Sequence, residues 1–318
     1  MSASKSQPSQ HHAQQWEAPR QLAVPTGFTT EEPAAGPESA RLAVVGNPIE
    51  HSKSPQLHLA AYRALALEWA YSRWQIEPGG LANALGKRAQ GWRGLSVTAP
   101  FKAEALAFAA TLDPFAERTG AVNTLVFDGL DAAATATGYN TDVYGILAAL
   151  AESGCTKAAT VDVIGAGETA ASAAVAALEL GATRIRVVAR RPEAAATLVS
   201  ALETRTGSSG VLTAADLATW SLAEAPELLI DTVPGGVPAP DRIAPSLAGM
   251  TLLSAAYDPW PTALAEAVAE HGGTVVSGEL MLLHQAIRQV RLFSGRDADA
   301  ELPNEASIVD EMRAALRG

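Results

Sequence analysis

Four short segments concentrate groups that can bind a polar ligand and move a proton. Residues 46–55 (GNPIEHSKSP) carry the hydroxyls of Ser52 and Ser54, and residues 96–102 (SVTAPFK) carry Thr98 and the ammonium of Lys102. Residues 120–124 (GAVNT) add the amide of Asn123, and residues 138–142 (GYNTD) add a second amide and the carboxylate of Asp142. Hydroxyls and amides both donate and accept hydrogen bonds, while an ammonium and a carboxylate together can handle a proton. Each segment lies beside a β-rich run. Loops that leave the strands of an open α/β sheet are where such sheets bind ligands, so these groups are expected to converge on one cleft. Taken singly, each has an ordinary structural use. Ser54 suits a helix cap, Thr98 a strand, Asn123 a turn, Asp142 the cap of a helix near Val143, and Lys102 the surface.

A second chemistry is written in Gly165-Ala166-Gly167-Glu168-Thr169-Ala170. This matches G-x-G-x-x-G/A at the junction of an expected strand and an expected helix, the context in which the pattern binds a dinucleotide. Gly165 permits the tight turn, Gly167 admits a pyrophosphate close to the backbone, and Ala170 allows the helix to pack on the strand. The helix start offers free N–H groups and partial positive charge to the phosphates. An NAD site places an acidic residue at the end of the next strand; here the chain reads Ala189-Arg190-Arg191. Guanidiniums suit a 2′-phosphate, so NADP is the expected cofactor. Glu168 would repel a pyrophosphate, and its side chain is expected to turn outward to solvent.

The elements that must position these groups alternate between β and α periods. Residues 41–46 (RLAVVG), 69–76 and 94–99 read as strands, and Ser54-Pro55 opens a helix with Ser at the N-cap and Pro in the first turn. A second series follows. Strands are expected at 160–165, 184–189, 227–231, 250–254 and 273–277, and helices at 168–180, from Pro192, at 261–270, 279–293 and 305–316. This rhythm predicts an α/β protein of two units flanking a cleft: one a mixed, mainly parallel sheet, the other a Rossmann dinucleotide-binding sheet. Residues 1–40 are rich in Gln, Ser, Pro and Ala and are expected to form a disordered tail. The expected division is a substrate-binding unit of 41–142 plus 279–318 and a cofactor unit of 143–278.

Composition narrows the function class. The net charge of −11 disfavours a nucleic-acid partner, whose phosphates require a basic face. A single cysteine, Cys155, excludes an intramolecular disulfide framework and a clustered-thiolate metal site, and no metal is expected. No apolar run is long enough to span a bilayer, and the N-terminus lacks the pattern of a secretory signal; a cytoplasmic protein is expected. His51, His58 and His284 are read as structural or bystander residues.

The segments GNPIEHSKSP, SVTAPFK, AVNT, YNTD, GAGETA and GELMLLHQA resemble, in order, the signature segments of the shikimate dehydrogenase family. The likeness runs from Arg41 to Gly318. It implies two α/β domains around a cleft and the reversible NADP-linked interconversion of shikimate and 3-dehydroshikimate, the small-molecule substrate expected here. By resemblance, Lys102 and Asp142 are the catalytic pair. Ser52, Ser54, Thr98, Asn123, Tyr257 and Gln285 bind substrate, while the residues from Gly165 to Ala170, Arg190, Arg191, Ala255 and Gly278 meet the cofactor. Two positions depart from the family pattern. Ser96 stands where many relatives carry Asn, and Glu168 stands where the loop often has Gly. A quinate or aminoshikimate dehydrogenase of the same superfamily, and a non-catalytic dinucleotide sensor on the same scaffold, are the alternatives. The assembly expected is a monomer or a homodimer.

Overall fold

A computed structural model describes residues 25–33 and 40–317. In chain order the first series is β1 (Arg41–Gly46), α1 (Ser54–Ala64), β2 (Ala70–Gln75), α2 (Leu81–Gly86), β3 (Trp92–Val97), α3 (Lys102–Phe108), β4 (Thr111–Leu112), α4 (Pro114–Thr119), β5 (Thr124–Phe127) and β6 (Ala136–Tyr139). After α5 (Thr141–Glu152) come β7 (Thr160–Ile164), α6 (Glu168–Glu179), β8 (Arg184–Ala189), α7 (Pro192–Thr206), β9 (Leu212–Asp216), β10 (Leu228–Asp231), β11 (Thr251–Ser254), α8 (Ala263–Glu270) and β12 (Thr274–Val276). The chain closes with α9 (Gly278–Phe293) and α10 (Glu305–Ala315).

The first sheet has the order β2-β1-β3-β5-β6-β4 and is mixed. Its β1 lies parallel to β2 and β3, whereas β5 runs antiparallel to both β3 and β6. The second sheet, β12-β11-β10-β7-β8-β9, is parallel throughout. Its central strands β7 and β10 read TVDVI and LLID and are buried nearly end to end, as strands covered by helices on both faces must be. The alanine-rich α6 buries a continuous run from Ala170 to Ala177, which lets its axis lie close to the sheet. Helices α9 and α10 return to the first sheet. Their Ile287, Val290, Phe293, Ile308 and Met312 share a core with Leu42, Leu57 and Tyr62. Between the sheets, α5 packs its Ile146 and Leu150 into the core of the second unit and also lies along α9.

Several local expectations change. The N-cap of α1 is Lys53 rather than Ser54, and no side chain caps that end, so the Ser54 hydroxyl is not spent on the helix. The cap of α5 is Asn140, whose side chain accepts the Val143 N–H, which likewise releases Asp142 from capping. The antiparallel β5 and β6 are short strands for which the sequence pattern alone gives no expectation. Residues 25–33, placed by composition in the disordered tail, lie against the edge of the first sheet. Thr29 pairs with β2 through Thr29 N–H to Arg73 O (3.0 Å) and Gln75 N–H to Thr29 O (2.8 Å). The Glu32 carboxylate accepts from Ala89 N (2.8 Å) and Trp92 Nε1 (2.6 Å). These polar contacts compensate for the segment's lack of apolar surface. The remaining residues of that expected tail lie outside the described residues, apart from Ala40. Among the described residues no helix is long and apolar enough to cross a membrane, and no group of three or more His, Cys, Asp or Glu is placed to hold a metal ion.

Candidate active site

Lys102 is the first residue of α3 and is only 6 % exposed. Its Nζ donates to Asp142 Oδ2 at 2.6 Å and to Thr169 Oγ1 at 3.2 Å. Asp142, in the first turn of α5, is held in turn by Asn123, whose Nδ2 donates to Asp142 Oδ1 at 2.7 Å. The Asn123 Oδ1 accepts from Thr141 N (2.8 Å) and Thr124 Oγ1 (2.9 Å). Thr124 Oγ1 itself accepts from Gln289 Nε2 (2.9 Å). Gln289 Oε1 accepts from Ser96 Oγ (2.8 Å), and Ser96 accepts from Tyr71 OH (2.7 Å). A buried polar group is tolerated when it is hydrogen-bonded, and this chain leaves few without partners. Burial raises the Tyr71 phenol well above its ordinary range, so it remains a neutral donor.

A cavity of about 320 Å³ opens on this network. Its walls include Ser52, Ser54, Thr98, Lys102, Asn123, Asp142, Tyr257 and Gln285, so the residues assigned to substrate and catalysis share one space. Local structure explains how they arrive there. The loop after β1 is pinned by Arg73 of β2, whose Nε and NH2 donate to Ser52 O at 2.9 and 2.7 Å. Gln285 projects from α9, and Tyr257 follows β11 with the Lys53 ammonium 5.7 Å from its ring centre. Burial raises the Tyr257 phenol, with Asp258 and Glu279 adding to the effect and Arg73 opposing it.

A second cavity, of about 650 Å³, lies under the glycine loop. Thr98, Lys102 and Thr169 line both cavities, so the two meet at the Lys102 ammonium. Gly165 has φ +117°, and a Cβ there would come within 2.2 Å of Thr232 Oγ1. Only glycine fits both the backbone angle and the space. Gly165, Ala166, Gly167, Glu168, Thr169 and Ala170 all line this cavity, and α6 begins at Glu168 with its N-terminus at the cavity wall. Arg190 and Arg191 follow β8 and are exposed, and their side chains make no hydrogen bond or ion pair among the described residues. A turn built on two glycines, a helix start and two guanidiniums unpaired among the described residues suit a phosphorylated dinucleotide.

Three placements differ from expectation. Ala255 and Gly278, assigned to the cofactor, line the cavity on the substrate side. They touch each other so closely that a Cβ on Gly278 would lie 2.3 Å from Ala255 O. Glu168 does not turn outward. Its Oε1 accepts the Ala103 N–H at 3.0 Å across the cleft. Burial raises its carboxyl, with Lys102 and the Ala103 N–H opposing and Asp142 adding to the rise. His51, read as a bystander, is part of the wall of the first cavity. His58 is a core residue stacked on Tyr71 at 4.1 Å, and His284 bonds Glu152 at 2.9 Å.

Sequence reading noted Ser96 only as a departure from the family pattern and missed Gln289 as part of the site. A signal existed for Gln289, which lies four residues after Gln285 and therefore on the same face of α9. It also missed the loop from Thr232 to Pro238, which forms the wall facing the glycine turn. The Asp231 carboxylate shapes that loop by accepting from Val233 N (3.0 Å) and Val237 N (3.1 Å), while burial raises its carboxyl.

Comparison with known proteins places this geometry. The family model described as the shikimate dehydrogenase substrate binding domain matches residues 44–125. A shikimate dehydrogenase (NADP(+)) of Halobacterium salinarum is 38% identical over 280 residues, covering 86% of this chain and 97% of that protein. The crystal structure of shikimate dehydrogenase from Mycobacterium tuberculosis is 38% identical, superposes with a TM-score of 0.70, and covers 87% of this chain and 99% of that one. A Thermus thermophilus shikimate 5-dehydrogenase in complex with NADP(H) and shikimate is 29% identical, also with a TM-score of 0.70, covering 87% of this chain and 99% of that one.

Proposed function

Because the chain belongs to the shikimate dehydrogenase family, we propose that it catalyses the reversible NADP-dependent reduction of 3-dehydroshikimate to shikimate, a step of aromatic biosynthesis carried out in the cytoplasm. The observation that carries this reading is the position of Lys102. Its ammonium lies where a cavity rich in hydroxyls and amides meets the cavity under the glycine loop.

In this reading residues 41–142 with 279–318 bind substrate, and residues 143–278 bind NADP. Ser52 and Ser54 hold the ring carboxylate. Thr98, Asn123, Tyr257 and Gln285 hold ring hydroxyls and fix the face presented to the other cavity. Arg190 and Arg191 meet the 2′-phosphate, the backbone from Gly165 to Ala170 meets the pyrophosphate, and Ala255 and Gly278, in the wall of the first cavity, face the point where a nicotinamide would meet the substrate. NADP, when bound, accepts or delivers the hydride. The chain's own task is the proton. Nζ of Lys102, starting as the amine, takes it from the 3-hydroxyl during oxidation and, starting as the ammonium, returns it to the ketone oxygen during reduction. Asp142 orients that nitrogen and balances its charge, and Asn123 keeps Asp142 in place. Ser96, shorter than an amide side chain, lines the same cavity and holds Gln289 in its wall.

Steady-state NADP reduction tests the reading, with shikimate, quinate and aminoshikimate as substrates and with NAD as the competing cofactor. Turnover is expected to be fastest with shikimate and NADP. Faster turnover of quinate or aminoshikimate reassigns the substrate, and absence of turnover with all three returns the chain to a dinucleotide-sensing role.

A further inference from the structure

Helix α3 begins without a cap of its own. The residue before it, Phe101, offers no side-chain acceptor, although the first-turn N–H groups of any helix lack intrahelical partners. The missing acceptor comes from the other unit: Glu168, the first residue of α6, takes the Ala103 N–H at 3.0 Å. The next residue of the glycine loop, Thr169, takes a proton of the Lys102 ammonium at 3.2 Å. Two successive residues of the cofactor loop thus grip two successive residues of α3, one of which is Lys102. The other bonds between the units are of a different kind. Arg118 to Glu179 (2.7 Å) and Arg205 to Thr119 O (3.3 Å) join α4 to α6 and α7 without contacting either cavity. His284 and Arg313 to Glu152 (2.9 and 3.1 Å) join the C-terminal helices to α5 away from both cavities. Asn140 to Ser172 (3.0 Å) is buried beside α5.

We propose that Glu168 is a positioning residue that caps α3 from across the cleft, so that closing the cleft and placing the Lys102 ammonium are one event. The inference rests on the assignment of Lys102 as the proton-handling group. It accounts for a carboxylate in a loop that faces phosphates: the side chain is spent on a backbone donor of the opposite unit. A closed cleft gives α3 its cap and the ammonium its bond to Thr169 together; an open cleft removes both. Lys102 then keeps only Asp142, which belongs to the helix joining the units.

Two variants test this, Glu168→Ala and Glu168→Gln, because an amide oxygen can still accept the Ala103 N–H. The first measurement needs neither substrate nor cofactor: hydrogen exchange of peptides covering the start of α3 in the full-length protein. Glu168→Ala is expected to speed exchange at Ala103 about tenfold, while Glu168→Gln stays near wild type. The second is steady-state turnover with shikimate and NADP. Glu168→Ala is expected to lower kcat about tenfold with KM for shikimate changed less than about twofold, and Glu168→Gln to recover most of the loss. Unchanged exchange or unchanged kcat in Glu168→Ala overturns the proposal. So does a Gln variant as impaired as the Ala variant, since charge rather than the fastening bond would then be what was lost. A wild-type protein inactive on shikimate defeats the functional assignment instead, and the exchange measurement still decides whether Glu168 caps α3.

Discussion

The wall of the cleft built on the first sheet and the wall built on the second hold their functional groups by opposite means. On the substrate side, side chains are fixed by one another. An unbroken series of hydrogen bonds runs from Tyr71 through Ser96, Gln289, Thr124, Asn123 and Asp142 to Lys102, nearly all of it buried. On the cofactor side the backbone does most of the positioning, through the Gly165 turn and the start of α6, and the arginines after β8 stand exposed and unpaired among the described residues. The difference follows from what each wall must recognise. Ring hydroxyls differ from one another only in position, so selecting among them needs donors and acceptors locked before binding. Phosphates are large, charged and symmetric, and backbone N–H groups with mobile guanidiniums meet them without prior locking. The mixed topology of the first sheet serves the same end. Its antiparallel β5 and β6 bring Asn123 and Asp142 together from neighbouring strand ends.

This contrast can be broken at either wall. The largest effect is expected where the two walls meet. Lys102→Ala should lower kcat by about 10³-fold with a much smaller change in KM for shikimate, as removal of a proton-handling group does; near-normal turnover would reject its role. The next concerns the locked wall. His58 is fully buried, and burial lowers its pKa from 6.5 to about 4, against the bond to Ser54 O and the proximity of Gln289. A folded pKa below the unfolded one means that the group costs nothing above about pH 6.5. Stability is then lost as pH falls from there through about 4, by up to about 3 kcal/mol. Thermal melts at pH 7 and pH 5 should show this loss, and a His58→Phe variant that survives folding should show less of it. If the pH dependence is the same in both, His58 is not its source.

On the open wall, Arg190→Ala combined with Arg191→Ala should reduce kcat/KM for NADP about thirtyfold and leave NAD almost unaffected, since only the 2′-phosphate contact is removed. An equal loss with both cofactors would show that the arginines serve something other than that phosphate. The smallest effect is expected at the substrate rim. Ser52→Ala should raise KM for shikimate about fivefold and change kcat little, because a single neutral hydrogen bond is lost in ground and transition states alike. A fall in kcat without a change in KM would place Ser52 in the chemical step instead.

The two walls also differed in how far they could be read from the chain. The glycine loop is a local object. Strand, turn, helix and the need for small residues all lie between Thr160 and Ala177, so the pattern alone foretold the turn at Gly165, the helix after it and the arginines after β8. On the substrate side, Ser52, Thr98, Asn123 and Asp142 were found, but the link between Ser96 and Gln289 was not. They are 193 residues apart in the chain and act through a mutual contact that no local pattern records. Residues 25–33 were missed for the opposite reason. Their composition lacks apolar surface, and the polar bonds of Thr29 and Glu32 to a sheet edge are invisible to a compositional argument.

What this sequence determined by itself was its alphabet of parts: the alternation of strands and helices, a dinucleotide loop, and a set of hydroxyl, amide, ammonium and carboxylate groups at strand ends. Those properties depend on residue type and on spacing within a few turns of chain. The tertiary structure alone decided the antiparallel insertion of β5 in the first sheet, the merging of two cavities at Lys102, and the turn of Glu168 toward Ala103 rather than solvent. The physical reason is that these outcomes depend on which distant donors are left without partners once the core has packed. Ala103 lacks an acceptor on its own helix, and the packing of the two units brings Glu168 within reach.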